Sequence, residues 1–335
     1  MSKTDDSKRY RIISLDGGGI RGILTAVWLD CLEQKLGGPL REHCDLIAGT
    51  STGSILACAV AQGLPAKSII TMYEERGRNV FPAPASRRWS RLVRTFSEGP
   101  SAPKYDDHGL RETLQNQFGH ALFNEEFLKP TVLVTSYDTV SREAVVFKNH
   151  HSDYKQIPVW QIVKASCSAP TYFPAHVMTI RGRGNREAAL VDGGVVANNP
   201  TACAIAEGIR INAANKTGLL QDQFIVGSFG TGHTIRPIST REAREWGAIE
   251  WAIPVIDVLM DGASDATDYI AKLLIEEARY FRFQTLLDKA YDDMDNADPP
   301  NLFALQALAR EYLSNADDKG ETGEQKITRL ATMLK

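Results

Sequence analysis

Short apolar runs alternate with glycine-rich turns through the first two thirds of the chain. Arg11 to Leu15 reads as a strand that runs into Asp16-Gly17-Gly18-Gly19-Ile20-Arg21-Gly22. Helical spacing then follows from Ile23 to Leu36 through Leu24, Val27, Trp28, Cys31 and Leu32, and Gly37-Gly38-Pro39 ends it. Asp45 to Ala48 gives a second strand, Gly49-Thr50-Ser51-Thr52-Gly53 a tight turn, and Ser54 to Gln62 a mostly apolar helix stopped by Gly63 and Pro65. This βαβα start predicts a parallel sheet with helices on its faces. Thr131 to Tyr137, Glu143 to Phe147 and Phe224 to Phe229 add further strands.

Beyond about Ile238 the glycine turns stop and amphipathic helices are expected. Ser264 to Tyr280 would place Ile270, Leu273, Leu274 and Ala278 on one side, and Lys326 to Leu334 would do the same with Ile327, Leu330, Ala331 and Leu334. Asp292 to Asn301 reads as an acidic connector. Between Arg76 and Lys104 the composition turns basic: Arg76, Arg78, Arg87, Arg88, Arg91, Arg94 and Lys104 stand against Glu98 alone, with Pro82, Pro84, Pro100 and Pro103 interspersed, so a long irregular loop is expected. A second basic, glycine-rich loop, Arg181 to Arg186, has no assignable role.

Thirty-eight basic against 41 acidic residues leave no general basic excess, so neither DNA nor RNA is expected as a partner. Five cysteines without a Cys-x-x-Cys pair suggest neither a zinc site nor a disulfide framework, and a reducing compartment fits. The N-terminus lacks the apolar stretch of a secretory signal. The one long uncharged run, Leu46 to Ala66, contains Gly49, Gly53 and Gly63 and reads as a buried core segment, not a membrane span. A soluble cytoplasmic protein is expected.

Gly49-Thr50-Ser51-Thr52-Gly53 matches the Gly-x-Ser-x-Gly elbow, in which flanking glycines permit a strained strand-to-helix turn that exposes a serine hydroxyl. The bland alternative is an ordinary glycine-rich turn. Gly17 to Gly22 can be read as Gly-x-Gly-x-x-Gly, the dinucleotide fingerprint, but that pattern wants an acidic residue at the end of the second strand, and Asp45 stands at its start. Backbone N–H groups at a helix N-terminus have another use, as an oxyanion hole. A serine nucleophile needs a base. The seven histidines are scattered, and only His233, past Gly230-Thr231-Gly232, stays as an outside candidate. Asp192, in Ala189-Leu190-Val191-Asp192-Gly193-Gly194, is a carboxylate delivered by a strand into a glycine turn. It would need desolvation to become basic enough, and direct contact with Ser51.

In combination and in this order, Asp16 to Gly22, Gly49 to Gly53 and Asp192-Gly193-Gly194 resemble the patatin-like phospholipase family of bacterial lipid acyl hydrolases. Lys104-Tyr105 with Leu110 and Leu114, Tyr137-Asp138, Ala165 to Pro174 and Asn198-Asn199-Pro200 strengthen the resemblance, which covers roughly Arg9 to Gly232. It implies a three-layer α/β/α fold with a mostly parallel central sheet over 9–237. The C-terminal third matches none of the family's motifs, and the helical C-terminal extension expected over 238–335, packed on that domain, is read from the amphipathic pattern alone. The resemblance also implies a catalytic dyad of nucleophile Ser51 and base Asp192. Gly18, Gly19 and Arg21 would form the oxyanion region, supported by Gly17, Gly22, Gly49, Gly53, Gly193 and Gly194. Asp16 is read as structural, fixing the glycine loop. One departure from the family pattern is Asp-Gly-Gly in place of Asp-Gly-Ala.

The expected reaction is hydrolysis of a fatty-acyl ester of a membrane phospholipid at the membrane surface, with no metal and no cofactor. Two alternatives stay open: the same chemistry in an antiviral effector gated by a cyclic nucleotide, and a non-catalytic binding module. A homo-oligomer is also left open. For the basic segment, Arg87, Arg88, Trp89, Arg91 and Arg94 suit either a lid that docks on an anionic bilayer or a solvated loop.

Overall fold

In the computed structural model, which describes residues 9–82, 103–181, 185–233, 237–251, 254–291 and 293–335, one sheet runs through the molecule in the order β5-β6-β3-β2-β1-β7-β8. The strands are β1 (Tyr10–Leu15), β2 (Leu46–Gly49), β3 (Thr131–Asp138), β4 (Glu143–Lys148), β5 (His176–Ile180), β6 (Arg186–Asp192), β7 (Phe224–Phe229) and β8 (Tyr280–Phe283). β3, β2, β1, β7 and β8 are mutually parallel. β4 and β6 run antiparallel to β3, and β5 antiparallel to β6.

The helices used below are α1 (Gly22–Leu36), α2 (Thr52–Gln62), α3 (Ala66–Val80), α4 (His108–Phe118), α5 (Val159–Cys167), α6 (Thr201–Ala214), α7 (Pro254–Leu274), α8 (Pro299–Ser314) and α9 (Gly323–Leu334). Strand side chains alternate between two apolar layers, as a period of two requires. Ile13, Leu15, Ile47, Val134 and Phe229 pack with α1, α2, α8 and α9. On the opposite face, Ile12, Leu46, Leu133 and Val226 meet Ala204 and Ile205 of α6 and Ala271 of α7. Burial on both faces explains why the parallel strands read as unbroken apolar runs. This is the expected three-layer α/β/α arrangement. The run from Leu46 into α2 is core, and no helix among the described residues is long and apolar enough to cross a membrane.

β3 fixes where the strand ends meet. Its residues 133–138 pair with β4, while 131–134 pair with β2 and 136–138 with β6. A strand has only two edges, so β2 and β6 must share the edge opposite β4. They approach along it from opposite ends: Gly49 of β2 stands against Val134, and Asp192 of β6 against Ser136.

Several expectations change. The basic segment is not irregular from its start, because Arg76 and Arg78 belong to α3; Arg87, Arg88, Trp89, Arg91 and Arg94 lie outside the described residues, as does part of the Arg181 to Arg186 loop. The helix expected over Ser264 to Tyr280 runs instead from Pro254 to Leu274, and Tyr280 begins β8. Its buried side is Ile256, Met260, Ser264 and Ala271, whereas Ile270, Leu273 and Leu274 are exposed. Small residues let the helix approach closely, so side-chain size is a poor guide to which face is covered. Residues 238–335 are also more than helical: β8 adds to the sheet beside β7, and α8 and α9 cover α1. The Trp28 indole N–H donates to the Ala309 carbonyl at 3.0 Å across that contact.

Phe281, Phe283, Leu305, Leu308, Ile327, Leu330 and Leu334 are all buried in these contacts. At roughly 1.5–3 kcal/mol per large apolar side chain buried, the set is worth about as much as the ~5–15 kcal/mol by which domains are stable, or more. A chain ended at residue 237 is therefore expected to lack a cooperative melting transition and to bind a hydrophobic dye. A sharp transition in calorimetry would show instead that 9–237 is an autonomous unit.

Candidate active site

The turn after β2 is built by close approach. A Cβ on Gly49 would collide with the Gly53 carbonyl, and one on Gly53 with the Leu15 carbonyl at the end of β1. Between them Ser51 takes φ +52° and ψ −124°, a sparsely populated region for a residue with a side chain. The surroundings over-determine this geometry. Ser51 N donates to Ser166 Oγ at 2.8 Å, and the Ser51 carbonyl accepts from Ser54 N at 2.8 Å and Ser54 Oγ at 2.6 Å. Thr50 Oγ1 lies 2.6 Å from both Thr135 Oγ1 and the Ala197 carbonyl. α2 starts at the next residue, so its positive end faces the serine.

Asp192 arrives on β6 from the opposite direction. Ser51 Oγ donates to its Oδ2 at 2.6 Å, and Gly194 N donates to Oδ1 at 2.7 Å. Asp192 is 0% exposed. Burial pushes its carboxyl up to about 7, against the Ser51 and Gly194 hydrogen bonds, which favour the charged form. The desolvation and the contact with Ser51 expected from the sequence are both present. A Cβ on Gly193 would collide with Thr135, which explains the glycine after the aspartate.

The glycine loop closes the third side. Gly17 lies against Ser51: a Cβ there would stand 3.2 Å from the Ser51 Cβ. Gly17 N donates to the Asn198 carbonyl at 3.0 Å and Ile20 N to the Met294 carbonyl at 2.9 Å. Gly19 has φ +59°, and side chains on Gly18 and Gly19 would collide with Thr231 and Met294. Among the described residues no acceptor is assigned to the Gly18 and Gly19 N–H groups, and both glycines line the cleft that holds Ser51 and Asp192. Arg21 is buried and turned back on the loop, its Nε donating to the Gly18 carbonyl at 3.3 Å. Gly22 packs on Thr52 and Tyr73.

That cleft is walled by apolar side chains of α2, α3 and α4, such as Ile55, Met72, Val80, Leu110 and Leu114, with Tyr172 and Phe173. No histidine lines it, and none hydrogen-bonds to Ser51 or Asp192 among the described residues. His233 instead donates its backbone N–H to the Thr285 carbonyl at 2.8 Å. Asp45 forms a bidentate pair with Arg11 and is remote from the glycine loop's open side. The described residues contain no group of His, Cys, Asp and Glu arranged to hold a metal ion, and all five cysteines are free.

Sequence reasoning missed four contributors. Ser166, inside the Ala165 to Pro174 stretch, holds the Ser51 amide. Asn198 braces Gly17. Met260 and Met294 line the cleft from beyond residue 238. Only the first two had a local signal, in Ala-Ser-Cys-Ser-Ala-Pro and Asn-Asn-Pro. Asp292 to Asn301 is accordingly no mere connector, since Met294 reaches the glycine loop and Asp295 accepts from Tyr105 Oη at 2.7 Å and pairs with Lys104.

A family model described as patatin-like phospholipase matches residues 13–205. Patatin-like protein 1 of Arabidopsis thaliana is 32% identical over 340 residues, covering 91% of this chain and 81% of that protein. Patatin-like protein 2 of Oryza sativa subsp. indica is 28% identical over 349 residues, covering 88% and 83%. Among solved structures, VipD from Legionella pneumophila superposes with a TM-score of 0.41 and 12% identity, over 92% of this chain and 69% of that one.

Because the folded chain binds the Asp192 proton more tightly than the unfolded chain, this carboxyl favours folding fully below about pH 4 and loses that contribution as pH rises through about 7. Asp192→Asn cannot ionise. It is expected to melt above the wild type at pH 8, by an amount worth on the order of a few kcal/mol, with the gap closing toward pH 4. Calorimetry across that range checks this; a gap that does not change with pH contradicts it.

Proposed function

The chain belongs to the patatin-like phospholipase family, and on that footing we propose that it is a serine-dependent lipid acyl hydrolase in which Ser51 and Asp192 act as a dyad. The observation that carries this reading is the 2.6 Å hydrogen bond from Ser51 Oγ to a fully buried carboxylate at the floor of an apolar cleft. The apolar lining suits an acyl chain whose ester carbonyl lies at Ser51.

In the reaction Asp192 Oδ2 takes the Ser51 proton as Oγ bonds to the acyl carbon. The carbonyl oxygen becomes an oxyanion, and the uncommitted Gly18 and Gly19 N–H groups receive it. Collapse breaks the ester C–O bond, and the departing alcohol takes the proton held by Asp192. Water then adds to the acyl-serine while giving a proton to Asp192. The second collapse releases the fatty acid, and the proton returns to Ser51. A carboxyl held near 7 suits both directions of this transfer better than an ordinary aspartate would. Arg21 takes the place of a brace, fixing the Gly18 carbonyl, and Asp16 acts on the loop and not on protons. The substrate class proposed is membrane phospholipid, attacked at the membrane surface.

Ser51→Ala is expected to lower release of fatty acid from phospholipid vesicles by at least about 10⁴-fold, with its melting temperature nearly unchanged, and Asp192→Asn to be similarly inactive. Alanine at any one of the seven histidines should leave turnover within a few-fold. For the wild type, kcat/KM on a soluble ester should rise with pH and level off above about 7. Mass spectrometry of the lipid products together with the pH profile checks this. Substantial turnover by Ser51→Ala, or a folded but inactive His233→Ala, would overturn the dyad.

A further inference from the structure

A glycine loop has few side chains with which to hold itself, so its direction depends on contacts from around it. Thr231 Oγ1 donates to the Gly17 carbonyl at 2.7 Å and Arg21 Nε to the Gly18 carbonyl at 3.3 Å, and further anchors stand at its two ends. At the far end Ile20 N donates to the Met294 carbonyl at 2.9 Å. At the near end the anchor is Asp16, and its partner comes from β8, two strands away in the sheet. Arg282 Nη2 donates to Asp16 Oδ2 at 2.6 Å, and Nη1 to Ser228 Oγ at 2.9 Å. Asp16 is buried and Arg282 nearly so, their side chains 2% and 11% exposed. Arg282 and Met294 lie outside the residues that match the family model.

The sheet is shaped for this reach. Arg282 stands in register with Ser228 of β7, and Ser228 with Ser14 of β1, so the three side chains occupy one row on one face. One row back the same face carries Tyr280, Val226 and Ile12, which are packed apolar core. At the Arg282 row the two neighbours shrink to serines, which leaves a channel over β7 along which the guanidinium reaches Asp16, two residues past Ser14. Stability alone does not account for such a pair. Two charges taken out of water do no better on average than two apolar groups of the same volume, and among the described residues Asp16 Oδ1 has no hydrogen-bond partner.

We propose that Arg282 is a positioning residue for the oxyanion hole: locked between Ser228 and Asp16, it sets the direction in which the Gly18 and Gly19 N–H groups face the cleft. The Met294 carbonyl provides the matching hold on the other end of the loop. Arg282 thereby takes part in catalysis without touching substrate. This inference rests on the dyad reading above.

The test compares Arg282→Met, Arg282→Lys and the double variant Asp16→Asn with Arg282→Met, which leaves no lone buried charge. Each is assayed on a soluble ester and with a trifluoromethyl ketone, to which Ser51 adds to form a bound oxyanion. Losing one oxyanion donor lowers turnover by about 100- to 1,000-fold, so Arg282→Met should lose about that much in kcat with KM within about twofold. The ketone's inhibition constant should weaken by the same factor. Arg282→Lys, which keeps a charge on Asp16 but not the fork, should fall between. The double variant should fold and still be slow. A folded double variant with kcat within about threefold of the wild type, or an Arg282→Lys enzyme with unchanged kcat and unchanged ketone affinity, overturns the proposal. If Ser51→Ala is inactive while these variants are fully active, only the positioning role falls; an active Ser51→Ala removes the dyad itself.

Discussion

One edge of β3 is shared by two strands that meet head-on, and the site depends on that meeting. β2 leaves the edge at Gly49 and must turn sharply, because β6 occupies the next positions; β6 ends at Asp192 for the same reason. A serine at the first turn and an aspartate at the second are thereby pressed together, Asp192 fully buried and Ser51 facing the cleft. Burial makes Asp192 basic, and the turn makes Ser51 accessible from the cleft. Neither property belongs to the residue alone. The backbone strain at Ser51 is held by Ser54, Ser166 and Thr50, whose hydroxyls take up the polar groups that a buried turn would otherwise leave unpaired.

Much of this was legible from residue order. The glycines at 19, 49 and 53 are needed because backbone passes against backbone, and those at 17 and 18 because the Asn198 and Thr231 side chains press on them; requirements of that kind leave a compact local pattern. Asp192 was legible through the glycine turn that follows it. What could not be read was long-range. Arg282 is one arginine in a short aromatic strand, and its meaning appears only when Ser228 and Ser14 are seen to share its row. The outward-facing apolar side of α7 misled for a related reason: periodicity reports that a helix has an apolar stripe, whereas packing here uses Met260, Ser264 and Ala271 on another side. Met294 sits in an acidic, proline-bearing stretch whose composition signals a linker, and its contribution is a backbone carbonyl that no sequence pattern encodes.

These long-range contacts also change how the C-terminal third is understood. It closes the sheet edge beside β7, covers α1, lines the cleft with Met260 and Met294, and holds the glycine loop at both ends. Asp295, through Tyr105 and Lys104, ties the same turn to the segment that enters α4 and so to the wall of the cleft. On the proposed role of the loop, substitutions far from Ser51 in sequence are expected to alter turnover without disturbing the serine or the aspartate.

The central claim is that Asp192 activates Ser51 directly. The rate at which an organophosphonate attaches covalently to the protein, followed by intact mass and located by peptide mapping, tests it most directly because it isolates the first chemical step. The account predicts a single adduct at Ser51, forming with a rate that rises with pH and levels off above about 7, and forming slowly and without that pH dependence in Asp192→Asn. An adduct on any other residue, or an Asp192→Asn protein labelled as fast as the wild type, would contradict it.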